Sequence, residues 1–331
     1  MEDSIKIIGS PANAGANGIT ALTKGGQLTS LANFAIGTKW ADSAPITLSK
    51  VAGICGSHAN GVVAFGGTAS QYLGSVAVPM APWIGLPAFE HEIAGMVGDL
   101  VNGLTAFSAA TPAVDAQPAV PATARTPALP AIPATPKQES VVAQISFGDD
   151  GVGEWKRKSP PPFDVELMAG DGNGVLIAGD TASGFTKLAK SGPDCKCEWI
   201  KLPPLRFAVK QMTGDVTNGF VFAGAGQMAA MDGKGNITKL PALNHELVAM
   251  AGNPKDGVVA LVKGGTVAYC TDLTKAIWIL LGGPLSQPAA ATSGTDTGTG
   301  TQPAPQPPAP APAPAPQPPA APVAVHETTT A

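Results

Sequence analysis

The chain has 331 residues, of which 44% are hydrophobic and only 13% charged, and its net charge is -4. That balance supplies a core but no clustered Lys and Arg, which excludes a surface built to track nucleic-acid phosphates. The 40 glycines and 33 prolines point to many short strands and turns beside extended segments.

The opening stretch, MEDSIKIIGS, carries acidic residues where a signal peptide carries positive ones, and no apolar run approaches ~18 residues. A soluble protein is expected, cytoplasmic or in a virion, with neither an export signal nor a membrane partner. From there one pattern returns along the chain. It reads GSPANAGANG at 9 to 18, GSHANG at 56 to 61, GDLVNG at 98 to 103, GDGNG at 170 to 174, GDVTNG at 214 to 219 and GNPKDG at 252 to 257. A short apolar run follows each copy, as in VVAFGG, VLIAGD and VVALVKG. Repetition argues for architecture over a private phosphate or calcium loop.

After the first glycine of each copy stand Ser10, Ser57, Asp99, Asp171, Asp215 and Asn253. Such side chains hydrogen-bond the backbone two residues on, and the closing Asn-Gly or Asp-Gly supplies the positive φ of a tight hairpin. Two places before that glycine stand Ile7, Ile54, Met96, Met168, Met212 and Met250, a stripe expected to pack neighbouring units together. The polar set is also the candidate ring for gathering a cation at one mouth of a channel.

All five tryptophans, Trp40, Trp83, Trp155, Trp199 and Trp278, fall in one further phase, with Ile237 in the sixth slot. A proline or glycine follows shortly, as in WIGLP and WIKLP, so these positions read as fourth strands ending at a break. Successive spacings are 43, 72, 44, 38 and 41 residues, and the excess has an obvious location. Residues 109 to 140 are rich in Ala and Pro; proline lacks the ladder donor, so an inserted loop that cannot pair as strands is expected inside the third unit.

Six units of about 42 residues with four short strands each predict an all-β, six-bladed β-propeller of four-stranded blades over residues 1 to 283. Blades fall at roughly 3–45, 46–87, 88–160, 161–204, 205–243 and 244–283, with the insertion between the second and third strands of the third. In this phase no terminal strand is shared, so ring closure is expected to rest on side-chain packing. Residues 284 to 331 form a Pro/Ala-rich tail, expected to be a disordered, extended tether reaching on the order of 150 Å. Its last residues, VAVHETTTA, are the less proline-rich end and the candidate for a terminal docking segment.

The loops into the fourth strands resemble a degenerate Asp-box, the S-x-D-x-G-x-T-W turn of sialidase-like propellers. The matching residues are Ser146, Asp149, Gly151 and Trp155, then Ser191 and Asp194 before Trp199, and Thr271, Asp272 and Thr274 before Trp278. The spacing departs from the consensus in each copy, and the Gly-His and Trp-Asp pairs of WD40 repeats are absent. A sialidase site implies three arginines and a tyrosine nucleophile. Here only Arg125, Arg157 and Arg206 exist, one of them in the insertion, so that activity is not expected.

Other glycosidases need two carboxyl groups within ~5 to 9.5 Å. Glu92 and Glu246, each after a histidine (His91, His245), are the best candidates, but blades three apart face each other across a six-bladed ring. They read as solvated residues at the start of strands. Cys55, Cys195, Cys197 and Cys270 form no disulfide framework and read as reduced thiols. No HExxH, paired CxxC, nucleophile elbow or P-loop lysine occurs, so no enzyme, cofactor or metal site is expected. The chain reads as a structural or adhesive propeller with protein partners in a larger assembly, such as a phage head decoration, collar or tail fibre. The alternatives are a propeller that binds or cleaves a glycan and, less favoured by the few arginines, a photosystem-assembly type factor.

Overall fold

The computed structural model describes residues 4–9, 18–32, 40–43, 45–58, 60–74, 82–116, 130–131, 133–148, 151–172, 174–193, 196, 198–224, 226–241 and 245–281. Blade 1 holds β1 (Ser4–Ile8), β2 (Ile19–Thr23), β3 (Leu28–Leu31) and β4 (Ala41–Asp42). Blade 2 holds β5 (Gly53–Ser57), β6 (Gly61–Gly66), β7 (Ala69–Leu73) and β8 (Ile84–Gly85). In blade 3, β9 (Ile93–Asp99), β10 (Gly103–Ser108) and β11 (Val142–Ile145) are followed by a side hairpin, β12 (Phe147–Gly148) and β13 (Gly151–Val152), and then by β14 (Lys156–Arg157). Blade 4 comprises β15 (Leu167–Gly170), β16 (Val175–Gly179), β17 (Thr186–Ser191) and β18 (Ile200–Leu205). Blade 5 comprises β19 (Gln211–Asp215), β20 (Gly219–Gly224), β21 (Gln227–Met231) and β22 (Ile237–Leu240), and blade 6 β23 (Leu247–Asn253), β24 (Gly257–Val262), β25 (Val267–Cys270) and β26 (Ile279–Leu281). Each blade is one antiparallel sheet with its strands in chain order.

Burial explains the composition of each strand. The second strands β6, β10, β16 and β24 are buried along their whole length, because a neighbouring blade covers each face. They therefore read as continuous small apolar runs without alternation. The fourth strands are largely exposed, as in β4, β8 and β14.

Six apolar clusters fill the six gaps between consecutive blades, and each contains one member of the Ile and Met stripe. Ile54 sits between blades 1 and 2, Met96 between 2 and 3, and Met168 between 3 and 4. Met212 lies between 4 and 5, Met250 between 5 and 6, and Ile7 between 6 and 1. The ring closes in that last gap, where Ile7, Ile19 and Leu31 pack on Ala249, Val259 and Leu261. Among the described residues no strand crosses from one blade to the other there, so apolar burial joins first to last.

Each tryptophan directly precedes its fourth strand and packs toward the blade before it. Trp83, Trp155, Trp199, Trp278 and Trp40 serve five of the six gaps. Two indole N–H groups reach back to that blade's exit: Trp155 Nε1 donates to the Pro87 carbonyl at 2.9 Å and Trp199 Nε1 to the Ser159 carbonyl at 2.8 Å. The sixth slot differs, since Ile237 is exposed and the gap between blades 4 and 5 is filled by Phe207, Phe220 and Phe222 instead.

The insertion leaves blade 3 between β10 and β11, and its stem corrects the expectation that it cannot pair. Thr111 pairs with Gln138 and Val114 with Thr135, each through two backbone hydrogen bonds of 2.8 to 3.0 Å. The bonds skip to every third residue, so only residues that own an N–H are asked to donate, and Pro112 and Pro136 fall between them. The expected tail at residues 284–331, together with Ser10, Asp149, Asp194, Cys195 and Cys197, lies outside the described residues.

Candidate functional site: the channel mouth

The first strands of all six blades surround a central cavity of about 610 Å³. At one mouth the strand-to-strand turns meet, and their construction follows from the repeat. Ser57 pairs with Gly61, Asp99 with Gly103, Asp215 with Gly219 and Asn253 with Gly257, which leaves three residues in each loop. The closing glycine takes the positive φ (86° at Gly103, 90° at Gly219), and the asparagine before it does not, contrary to the tight Asn-Gly turn expected. This is the three-residue hairpin with a left-handed bulge residue.

The glycine that opens each copy has a second reason to be glycine. At Gly98, φ is +100°, and a Cβ would lie 2.1 Å from the Gly103 carbonyl oxygen across the hairpin. The same clash of 2.1 to 2.5 Å recurs at this phase in all six blades. GDGNG carries one glycine more than the copies at 56, 98, 214 and 252, and the reason is local: a Cβ on Gly172 would lie 2.0 Å from the Gly103 carbonyl oxygen of the neighbouring turn. Its own carbonyl accepts from Gln144 Nε2 at 2.8 Å.

The candidate ring residues Ser57, Asp99, Asp171, Asp215 and Asn253 all line this cavity. Asp99 Oδ1 accepts the N–H groups of Val101 and Asn102 at 2.9 and 2.8 Å, and Asp215 Oδ1 accepts those of Thr217 and Asn218 at 2.9 and 2.7 Å. Asn253 Oδ1 does the same for Lys255 and Asp256, and Ser57 Oγ accepts from the Asn60 N–H. The second carboxylate oxygen of each Asp takes side-chain amides. Asn60 and Asn102 donate to Asp99 Oδ2 at 2.9 and 3.1 Å, and Asn218 and Asn253 to Asp215 Oδ2 at 3.1 and 3.2 Å. Asn60 and Asn253 bond across a blade gap, so the turns of blades 2 and 3 and of blades 5 and 6 are tied to each other. A carboxylate so engaged would have to give up these bonds to ligate a cation, and among the described residues no group of three His, Cys, Asp or Glu is arranged to hold a metal.

Sequence reasoning missed the asparagines' part in this. Asn60, Asn102 and Asn218 looked like φ donors for the turn, yet they supply the amides that saturate the aspartates. Cys55, His58 and Lys6 also line the cavity without a repeat to announce them. Burial, and secondarily the Asp99 charge, pushes the Cys55 thiol far above its ordinary range, so it stays protonated and unreactive. Burial lowers the His58 imidazole, whose Nδ1 is enclosed without a hydrogen-bond partner, and also lowers the Lys6 ammonium.

Glu92 and Glu246 occupy matching positions just before β9 and β23. Each is exposed and ion-paired, Glu92 with Lys50 at 2.6 Å and Glu246 with Lys263 at 3.0 Å. Of the three turns before Trp155, Trp199 and Trp278, the described residues give the β12–β13 hairpin and a turn in which Asp272 Oδ1 accepts from the Thr274 hydroxyl at 2.6 Å.

No protein-family model and no curated protein sequence matches the chain. Among solved structures, the WD40 β-propeller domain of Doa1 is 9% identical, with 86% of this chain and 83% of that one covered and a TM-score of 0.47. A catalytically inactive virginiamycin B lyase from Staphylococcus aureus, solved with quinupristin, is 12% identical over 86% and 85%, also with a TM-score of 0.47. Likeness at that level says nothing of function. The six chain-ordered sheets and their six packed gaps make the chain an all-β, six-bladed β-propeller of four-stranded antiparallel blades.

Proposed function

We propose that the chain is a non-enzymatic structural or adhesive module of a larger assembly, with a bacteriophage head decoration, collar or tail fibre as the specific form. The observation that carries this reading is the outer rim. Ile84, Ile200, Ile279 and Leu280 stand 48 to 57% exposed in the fourth strands of three blades, and Ile277 is 65% exposed beside them. Unpaired edge strands with outward apolar side chains are templates on which another chain can pair or pack. Degenerate Asp-box turns and a Pro/Ala tether are compatible with this role. Co-sedimentation with purified particles from the source, quantified by mass spectrometry, tests it: several copies per particle are expected, and full recovery in the particle-free fraction overturns it.

The second reading, a carbohydrate-binding or glycan-cleaving propeller, draws on the tryptophan row at the rim. Its cleaving form would assign Glu92 and Glu246 as the acid and base, although each already holds a lysine. Replacing both by Gln removes them from any catalytic role if glycan turnover is unchanged.

A further inference from the structure

Blade 3 has an outer edge unlike the other five. Between the exit of blade 2 and the start of β14 lies a cavity of about 410 Å³, within the range of small-molecule sites. Buried Phe89 and Ala143 contribute to its lining, and Trp155 and Pro87 stand beside them. Its charged residues are Arg157, Glu90 and Glu154. Trp155 is half-buried, and its N–H is tied to Pro87, so the ring is held in place before any ligand arrives. The Phe89 and Trp155 rings meet in a T-shaped contact, centroids 5.4 Å apart and ring planes at 72°, so Phe89 does not stack flat on the indole.

The polar groups are planar and pre-aligned as well. Arg157 forks onto Glu90, with Nε donating to Oε1 at 2.6 Å and Nη2 donating to Oε2. A guanidinium has five N–H donors and a carboxylate about four acceptor sites, so this pair keeps hydrogen-bonding capacity after meeting itself. Glu154 is exposed and without an ion pair among the described residues. An apolar ring wall with planar donors and acceptors around it complements a molecule that has one C–H face and a girdle of hydroxyls.

We propose that the Trp155 cavity binds one neutral pyranose unit of a glycan, with the indole as its stacking wall and Arg157, Glu90 and Glu154 as hydroxyl partners. The assignment rests on the adhesive reading only for its biological use; binding itself is independent of any particle. A ligand of about a dozen heavy atoms in such a site binds with a dissociation constant on the order of millimolar.

The test uses the full chain labelled with 5-fluorotryptophan, its five ¹⁹F resonances assigned by single Trp→Phe replacements, titrated with methyl glucopyranosides, methyl galactopyranosides and N-acetylglucosamine. The Trp155 resonance is expected to shift alone, saturably, with at least one sugar, and Glu154→Ala is expected to weaken binding about fivefold while leaving the spectrum of the free chain intact. Absence of any saturable shift up to about 100 mM overturns the proposal, as does binding that moves a different tryptophan or is unchanged in an Arg157→Ala, Glu154→Ala double variant. A Trp155 resonance that moves with a peptide of residues 303–322 and not with sugar overturns it too, in favour of a proline-rich occupant. If the sugar fails while the chain co-sediments with particles, the module reading stands without its glycan; the reverse result separates them the other way.

Discussion

At the channel mouth, blades 2, 3, 5 and 6 present the same three-residue turn, capped by the side-chain oxygen of Ser57, Asp99, Asp215 or Asn253 and closed by a glycine. At the outer edge the blades diverge: blade 3 has an extra hairpin, an insertion stem and the Trp155 cavity, blade 5 lacks its tryptophan, and blade 6 displays Ile279 and Leu280. In blades 2, 3, 5 and 6 the inner turn is held by close contacts from two sides, which leaves one solution, while blade 4 departs from it where Gly172 meets the neighbouring turn. The outer strands have a neighbour on one edge only, so their side chains are released from packing and become available for contacts with other molecules. The regular region thus makes the ring, and the irregular one is where a role is written.

That contrast breaks most visibly at a glycine. Gly98→Ala places a Cβ against the Gly103 carbonyl in a positive-φ position, and it is expected to cost roughly 3 kcal/mol. For a domain of this size that lowers the melting temperature by about 6 to 12 °C, readable by calorimetry. Gly184, at φ +84° with open space where a Cβ would stand, is the matched rim control. Its replacement by Ala should cost only the backbone strain, about 1 kcal/mol.

A smaller effect sharpens the difference between the channel-mouth turns and the surface ion pairs. Asp215→Ala removes the acceptor of two backbone N–H groups and of two amides, and should cost about 1 to 2 kcal/mol. Lys263→Ala, which breaks an exposed pair with Glu246, should leave the denaturation midpoint unchanged within error.

The smallest expected effect is a slope. Burial lowers the His58 imidazole in the folded chain, so the unfolded chain binds more protons as pH falls below the ordinary value near 6.5. Stability contributed by neutral His58 is present above that value and is lost as pH drops from about 6.5 toward the lowered folded value. His58→Gln should therefore flatten the fall in melting temperature between pH 7 and pH 5 relative to the parent chain. An identical fall in both proteins would remove His58 from the pH response.

Much of the ring is legible in the sequence. The turn phase, the Ile and Met stripe and the tryptophan row recur because each blade meets the same neighbours, and repetition turns a tertiary requirement into a sequence period. The insertion stem is not legible from the proline content of the segment as a whole, because pairing is decided donor by donor at Thr111, Val114, Thr135 and Gln138. The sixth slot, Ile237, stands in the right phase, but the phenylalanines that fill its gap come from the blade 5 linker and β20, where Phe220 and Phe222 take places held by smaller residues such as Leu104 and Ala106 in blade 3.

The sequence by itself determined the number of blades, the place of the insertion and the residues of the turns, because these depend on local hydrogen bonding, φ and periodic burial. Only the tertiary structure decided that Asn60 and Asn253 lock one turn to the next, that Gly172 makes room for the Gly103 carbonyl, and that Trp155 shares a cavity with Pro87, 68 residues earlier in the chain, and with Glu90. Those contacts join different blades at the non-repeating places, where no period exists to record them and only closure of the ring brings the partners together.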